Sequence, residues 1–310
     1  MMYSILFSLL KIVPIPVFWV LAQFGAFVLC LFKNSSLYRS TNINIMLTCP
    51  TLSDKQRQVL VKKSIINQLF STMASAKVWV MPTTWATAQI VKVHHQYHLE
   101  NALKSNKGML AIVPHIGTWE MMNAWINDFG SPVIMYKPLK NQAIDSRVKA
   151  GRQRLNATLV PTDSTGVKAI LQTLKAGGFS IVLPDHTPDP KGGVIVPFFN
   201  IPTLTGTLAP KLIGKTGCAL VGLACVYQKD GFHIYCYDLN NPNLYDKDSQ
   251  IATKALNDEM ATMINAHFTH YMWGYRRFKY TPIADNLYLL DFNTIYQKRL
   301  AMENDNDNSS

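Results

Sequence analysis

Gly108-Met-Leu-Ala-Ile-Val-Pro114, followed at once by His115-Ile-Gly-Thr-Trp-Glu120, is the segment that decides the fold. A short unbroken apolar run closed by a proline predicts a strand buried on both faces. A histidine stands at its exit, and a carboxylate follows five residues later. Histidine is the side chain whose ordinary pKa lies nearest physiological pH, so it can take a proton from a hydroxyl and return it. A nearby carboxylate can fix its tautomer and stabilise the imidazolium that forms. On one continuous helix, residues five apart stand about 140° out of register. Glu120 therefore faces His115 only if the histidine sits in a loop and the helix begins near Gly117 or Thr118. The competing reading is a histidine that caps a backbone group ahead of an ordinary amphipathic helix.

Outward from this segment, strand-like and helix-like stretches alternate. Strands are expected at 89–93, 108–114, 131–136, 157–160, 179–183, 193–199, 218–227 and 232–239. Helices are expected at 118–128, 142–154, 165–176, 205–216 and 250–271. Such alternation predicts an α/β domain, with a central mixed sheet flanked by helices. In such sheets ligands bind where strands end, and His115 is at such an end.

The chain opens differently. Ile12 to Phe32 is 21 residues without a charge, between Lys11 and Lys33, about the length that crosses a bilayer. An N-terminal membrane-anchoring helix is expected, with Pro14 and Pro16 bending its first turns. No small-residue cleavage site of a signal peptide follows Phe32. Ser53-Asp-Lys-Gln56 has the form of a capping box before a helix carrying Val59, Leu60, Ile65, Ile66, Leu69, Phe70 and Met73. The organisation expected is an anchor at 1–33, a catalytic domain at 34–300 and a disordered polar tail at 301–310.

Composition narrows the partners. The chain is 48% hydrophobic, which points to a membrane contact, and its net charge of +11 points to anionic ones. Nucleic acid fits the charge alone, but the basic residues are scattered and no helix-turn-helix or aromatic stacking motif accompanies them. The five cysteines (Cys30, Cys49, Cys218, Cys225 and Cys236) include no Cys-x-x-Cys pair and read as reduced. Gly214-Lys215-Thr216 lacks the upstream glycine of a phosphate-binding loop, where Ala209 stands. His94, His95 and His98 have no second cluster to complete a metal site. A Gly-x-Ser-x-Gly elbow is absent from the sequence.

Three more segments carry charge or aromatic rings in turn-rich settings. Tyr136-Lys-Pro-Leu-Lys-Asn141 leads to Arg147, Lys149, Arg152 and Arg154. Leu183-Pro-Asp185-His186 leaves a strand and, through a loop containing Lys191, enters Val194-Ile-Val-Pro-Phe-Phe199. Tyr271-Met-Trp-Gly-Tyr-Arg276-Arg277-Phe-Lys279-Tyr280 is an aromatic-basic patch of a kind suited to an interfacial surface.

In this order, the segments resemble the late acyltransferases of lipid A biosynthesis, within the wider His-x4-Asp/Glu acyltransferases. The resemblance runs from the N-terminal apolar stretch to about residue 280. It rests on His115 to Glu120, the Tyr136-Lys-Pro…Asn141 segment, Gly151-Arg152-Gln-Arg154, Pro184-Asp185, Pro197-Phe198-Phe199, and Trp273 with Arg276-Arg277-Phe278-Lys279. Gly274-Tyr275 departs from the family, which often has a histidine there. The resemblance implies transfer of a fatty acyl chain from acyl carrier protein to a hydroxyl on an acyl chain of a lipid A precursor. It also implies a bacterial inner-membrane location, with a single-pass anchor and the catalytic domain on the cytoplasmic side. No cofactor or metal is expected, since a thioester is already activated. Under this reading His115 is the general base and Glu120 orients it. Backbone N–H groups at the start of the 118–128 helix, or Arg152 or Arg154, would stabilise the oxyanion. Arg147, Lys149, Arg152 and Lys191 would bind acceptor phosphates, and Asp185 would orient one of the arginines. A long apolar groove beside His115 is expected for the fatty chains. The motif alone fits a glycerolipid or amino-lipid O-acyltransferase equally well, and a non-catalytic membrane-binding homologue would retain it as a relic.

Overall fold

The computed structural model describes residues 2–153 and 156–307. Four helices come first: α1 (Met2–Ile12), α2 (Ile15–Leu31), α3 (Ser36–Thr48) and α4 (Asp54–Val78). After α5 (Thr83–Ala88) the chain alternates through β1 (Ile90–His94), α6 (Tyr97–Lys104), β2 (Met109–Ile112), α7 (Trp119–Ile126) and β3 (Val133–Met135). It continues through α8 (Gln142–Gln153), β4 (Thr158–Val160), α9 (Ser164–Lys175) and β5 (Phe179–Val182). A separate hairpin, β6 (Gly193–Phe198) and β7 (Ile201–Gly206), leads to α10 (Leu208–Thr216). Then come β8 (Ala219–Gln228), β9 (Gly231–Tyr237), α11 (Ser249–Ala266) and α12 (Phe292–Asp307).

Seven strands form one sheet in the order β1-β9-β8-β2-β5-β3-β4. All neighbours are parallel except β8 and β9, so the sheet is mixed. β2 lies at its centre, between β8 and β5, with all four residues buried. Its side chains alternate between two cores, as strand geometry requires. Leu110 and Ile112 pack on one face with Ile170, Leu174 and Ile213. Met109, Ala111 and Val113 pack on the other with Met121, Met122 and Trp125.

The eight expected strands are present within a few residues, as are the five expected helices. β7 was not expected. Its residues 205–206 fell at the front of the helix expected over 205–216, and Pro202 obscures the strand pattern. The capping box also forms: Ser53 N–H donates to Gln56 Oε1 at 3.0 Å, and Gln56 N–H donates to Ser53 Oγ at 3.4 Å.

The N-terminal stretch departs from the expected anchor. Ile12–Phe32 is not one helix, because α1 ends at Ile12 and α2 starts after Pro14, whose ring cannot continue α1. Lys77, on α4 and only 3% exposed, closes the break. Its ammonium donates to the carbonyls of Leu10 (2.7 Å), Lys11 (3.0 Å) and Val13 (2.9 Å), a cation on the negative end of α1. Burial lowers the pKa of this amine. α2 lies along α4 through Ile15, Phe18, Ala22 and Ala26, all buried. Its other side exposes Val17, Val20, Leu21, Phe24, Phe27 and Leu31. Among the described residues no single helix is long and apolar enough to cross a membrane; only the α2–α3 pair, bent by 83°, is by length and composition.

The expected disordered tail is helical to Asp307. α12 starts beside Asp291, whose carboxylate accepts from Thr294 N–H at 3.0 Å. It docks through Ile295 and Arg299, both buried, with Arg299 Nε donating to Leu47 O at 3.0 Å. Residues 308–310 of that expected tail lie outside the described residues.

Candidate active site

The loop after β2 is pinned by backbone bonds on both sides. Gly117 N–H donates to His270 O (2.9 Å), Thr118 N–H to Cys225 O (2.7 Å), and Met272 N–H to His115 O (3.0 Å). Gly117 adopts φ +63°, and a Cβ there would lie 2.0 Å from the Cys225 carbonyl oxygen, so only glycine fits. α7 begins at Trp119. His115 thus stands off the helix end with Glu120 in the first turn, the placement that the spacing demanded.

The side chains nevertheless find other partners. His115 Nδ1 lies 2.8 Å from Oδ1 of Asp185, and Asp185 Oδ2 accepts from His115 N–H at 3.1 Å. Strand register brings them together. β2 and β5 are parallel with Ile112 opposite Val182, so the residues three beyond each, His115 and Asp185, leave the sheet side by side. Asp185 is wholly buried. Burial pushes its carboxyl up, but the charge and hydrogen bonds of His115 pull harder, holding it well below the usual carboxylate range.

Glu120, 1% exposed, points instead to α8. Its Oε1 lies 2.6 Å from Arg152 Nη2 and 3.2 Å from Arg152 Nε. The guanidinium also lies over the rings of Trp119 (4.5 Å) and Tyr136 (5.3 Å). Tyr136 donates its hydroxyl hydrogen bond to Asp145, and its pKa is pushed up to about 12, first by burial and then by that carboxylate. The two carboxylates have thus exchanged the partners expected of them: Asp185 holds the histidine, and Glu120 holds an arginine.

His115, Trp119, Lys137, Arg152 and His186 line both of two cavities, of about 480 and 440 Å³. Among the described residues, Arg152 and Lys137 are the cations there, and Lys137 comes from the turn-rich Tyr136-Lys-Pro segment, whose pattern does not mark it as a site residue. Arg147, Lys149 and Lys191 are exposed and line neither cavity. Arg154 lies outside the described residues. The N–H groups of Gly117 and Thr118, just ahead of α7, already have backbone acceptors and are not available to an oxyanion. A third cavity, of about 650 Å³, lies against α2 and α4, lined by Trp19, Val20, Ile66 and Tyr227, and shares His270 with the first.

Ligand atoms of His115, Asp185 and His186 come within 4.8 Å of one another. The two imidazoles, however, are parallel to 1° with centroids 3.9 Å apart. Their in-plane lone pairs run side by side instead of converging on one ion, so the trio suits stacking rather than chelation.

The aromatic-basic segment near 275 is largely interior, not an interfacial surface. Tyr271, Trp273, Arg277 and Phe278 are buried. Arg277 Nη1 donates to Leu204 O (2.7 Å) and Nη2 to Thr205 Oγ1 (2.6 Å), tying the β6–β7 hairpin to this segment. Arg276 and Lys279 alone of its cations reach solvent.

A family described as bacterial lipid A biosynthesis acyltransferase matches residues 1–280. The chain belongs to this family. It is an acyltransferase. It is 25% identical over 243 residues to the lipid A biosynthesis lauroyltransferase of Escherichia coli (strain K12), covering 77% of this chain and 78% of that protein. It is 23% identical over 250 residues to the palmitoleoyltransferase of the same organism, covering 78% and 79%. A phosphatidylinositol mannoside acyltransferase of Mycolicibacterium smegmatis is 27% identical over 174 residues, 54% of this chain and 55% of that protein. The acyltransferase therefore shares its matched core with relatives named for very different acceptors.

Proposed function

We propose that this acyltransferase moves a fatty acyl chain from acyl carrier protein to a hydroxyl on an acyl chain of a lipid A precursor. The observation that carries the mechanism is His115 Nδ1 bonded to a buried Asp185 at the wall of a cavity that also holds Arg152. With Nδ1–H donated to the carboxylate, Nε2 carries the lone pair. Nε2 removes the acceptor proton as the hydroxyl oxygen attacks the thioester carbonyl. The tetrahedral intermediate then collapses, the C–S bond breaks, and the imidazolium returns its proton to the leaving thiolate. Asp185 fixes the tautomer and balances the imidazolium charge. Arg152, held by Glu120, is the donor for the oxyanion or for an acceptor phosphate. Arg147 and Lys149, exposed on α8, would meet acidic carrier or headgroups at the rim.

The apolar cavity beneath α2 would take a fatty chain, each buried methylene contributing about 0.8 kcal/mol. The exposed stripe of α2, flanked by Lys11 and Lys33, would lie on the cytoplasmic face of the inner membrane. Held flat along α4, α2 would enter the interface rather than cross it.

The test is incubation of purified protein with acyl carrier protein loaded with chains of different lengths. Tetra-acylated lipid A precursor is offered in one reaction and a glycerophospholipid acceptor in the other. Acylation of the precursor alone is the expected result, and transfer only to the glycerophospholipid would reassign the acceptor. A protein folded but inert with every acceptor would favour the non-catalytic reading.

A further inference from the structure

His186 makes an unusual use of a buried imidazole. Its ring lies flat on His115, with centroids 3.9 Å apart and planes within 1°. Its opposite face lies on Tyr275, again at 3.9 Å and within 14°. Thr187 N–H donates to the Tyr275 hydroxyl at 3.0 Å, so the rear ring is tied to the backbone next to His186. His186 Nε2 is buried and has no hydrogen-bond partner among the described residues. A buried polar atom without a partner costs about 1–3 kcal/mol, and a filler of the same shape would avoid that cost.

We propose that His186 is a positioning residue for the reaction: with Tyr275 behind it, its ring fixes the plane of His115 and stabilises the imidazolium His115 becomes during acyl transfer. This rests on His115 acting as the base. Asp185 meets the charge in the plane of the His115 ring, at Nδ1, while His186 meets it from the face. A cation over an aromatic face is attracted by the electrons of that face. The attraction requires that His186 itself stay neutral, since two stacked imidazoliums repel. Burial pushes His186 down to about 4, and His115 beside it and Arg277 push the same way against Asp185. The other groups around the stack are Tyr275 on its far face and the fully buried Tyr271 beside Asp185. The stack thus takes up only one extra proton as the reaction proceeds, and Asp185 directs it to His115.

The test compares full-length His186→Leu, His186→Phe and Tyr275→Leu with the unaltered protein, reading kcat, KM and the His115 titration by NMR. His186→Leu removes the aromatic face. It is expected to lower kcat about tenfold with KM within about twofold, and to lower the His115 pKa by about half a unit. The acid limb of kcat/KM should move down with it. His186→Phe keeps a face and should retain kcat within about threefold. Tyr275→Leu should shift the His115 titration in the same direction as His186→Leu but less, and it carries the test if the leucine variant does not fold. An unchanged His115 titration in His186→Leu, or in Tyr275→Leu where that stands in, overturns the proposal, as does a phenylalanine variant as impaired as the leucine one. Because the titration is read without substrate, it stands apart from the general-base reading, which fails separately if His115→Ala still transfers acyl chains.

Discussion

The cavity holds two acid–base couples of opposite temper. His115–Asp185 pairs a carboxylate with an imidazole, a group built to exchange protons, whereas Glu120–Arg152 pairs one with a guanidinium, a group built to stay charged. Both carboxylates are buried, and both couples sit at hydrogen-bonding distance. The first can move a proton, while the second can only hold charge and shape in place. A His-x4-Glu spacing therefore does not by itself make a relay: its two residues here belong to different couples, joined by the cavity between them.

The comparison can be broken most severely at the base. His115→Ala should lower kcat about 10³- to 10⁴-fold while thermal unfolding changes little. Asp185→Asn comes next, with kcat down about 10²- to 10³-fold and KM nearly unchanged, because the amide no longer fixes the tautomer. Glu120→Gln should act on a different axis, leaving Arg152 without its counter-charge. Calorimetry should show a loss of about 3 kcal/mol, with KM rising more than kcat falls.

A smaller effect sharpens the electrostatic side. His186, His267 and His270 are each held down to about 4, chiefly by burial, against an ordinary value of 6.5. The unfolded chain therefore binds more protons between those values, and stability falls as pH drops from about 6.5 to about 4. Asp185 adds its loss at lower pH, as the medium falls below an ordinary aspartate's value toward its own depressed one. Scanning calorimetry across pH 4–8 should show the unfolding temperature level above about pH 7 and declining below 6.5. The decline should be shallower in His270→Gln.

Much of the sheet was legible because its strands are short apolar runs bounded by Gly and Pro. The His115 placement followed from the proline, the glycine and the helix that must start after them. The exchange of carboxylate partners was not legible. It depends on β5 pairing beside β2 in parallel register, and sequence alone gave no adjacency for β5. The signal was nonetheless present: both His115 and Asp185 follow an apolar pair and a single proline, Ile112-Val113-Pro114 and Val182-Leu183-Pro184. The N-terminal stretch hid its break for a different reason. Apolar length measures what can enter a bilayer, but it does not show that Lys77 closes a break before α2 or that Ala22 and Ala26 pack α2 on α4. The aromatic-basic segment misled because composition does not say that Arg277 turns inward to bind carbonyl and hydroxyl oxygens.

The central claim is that Asp185, not Glu120, sets the tautomer of His115. Nitrogen-15 NMR of the His115 ring at neutral pH tests this in the unaltered protein, in Asp185→Asn and in Glu120→Gln. The account predicts a proton on Nδ1 in the unaltered protein and in Glu120→Gln, and a mixture of tautomers in Asp185→Asn. A tautomer that survives Asp185→Asn but is lost in Glu120→Gln would contradict it.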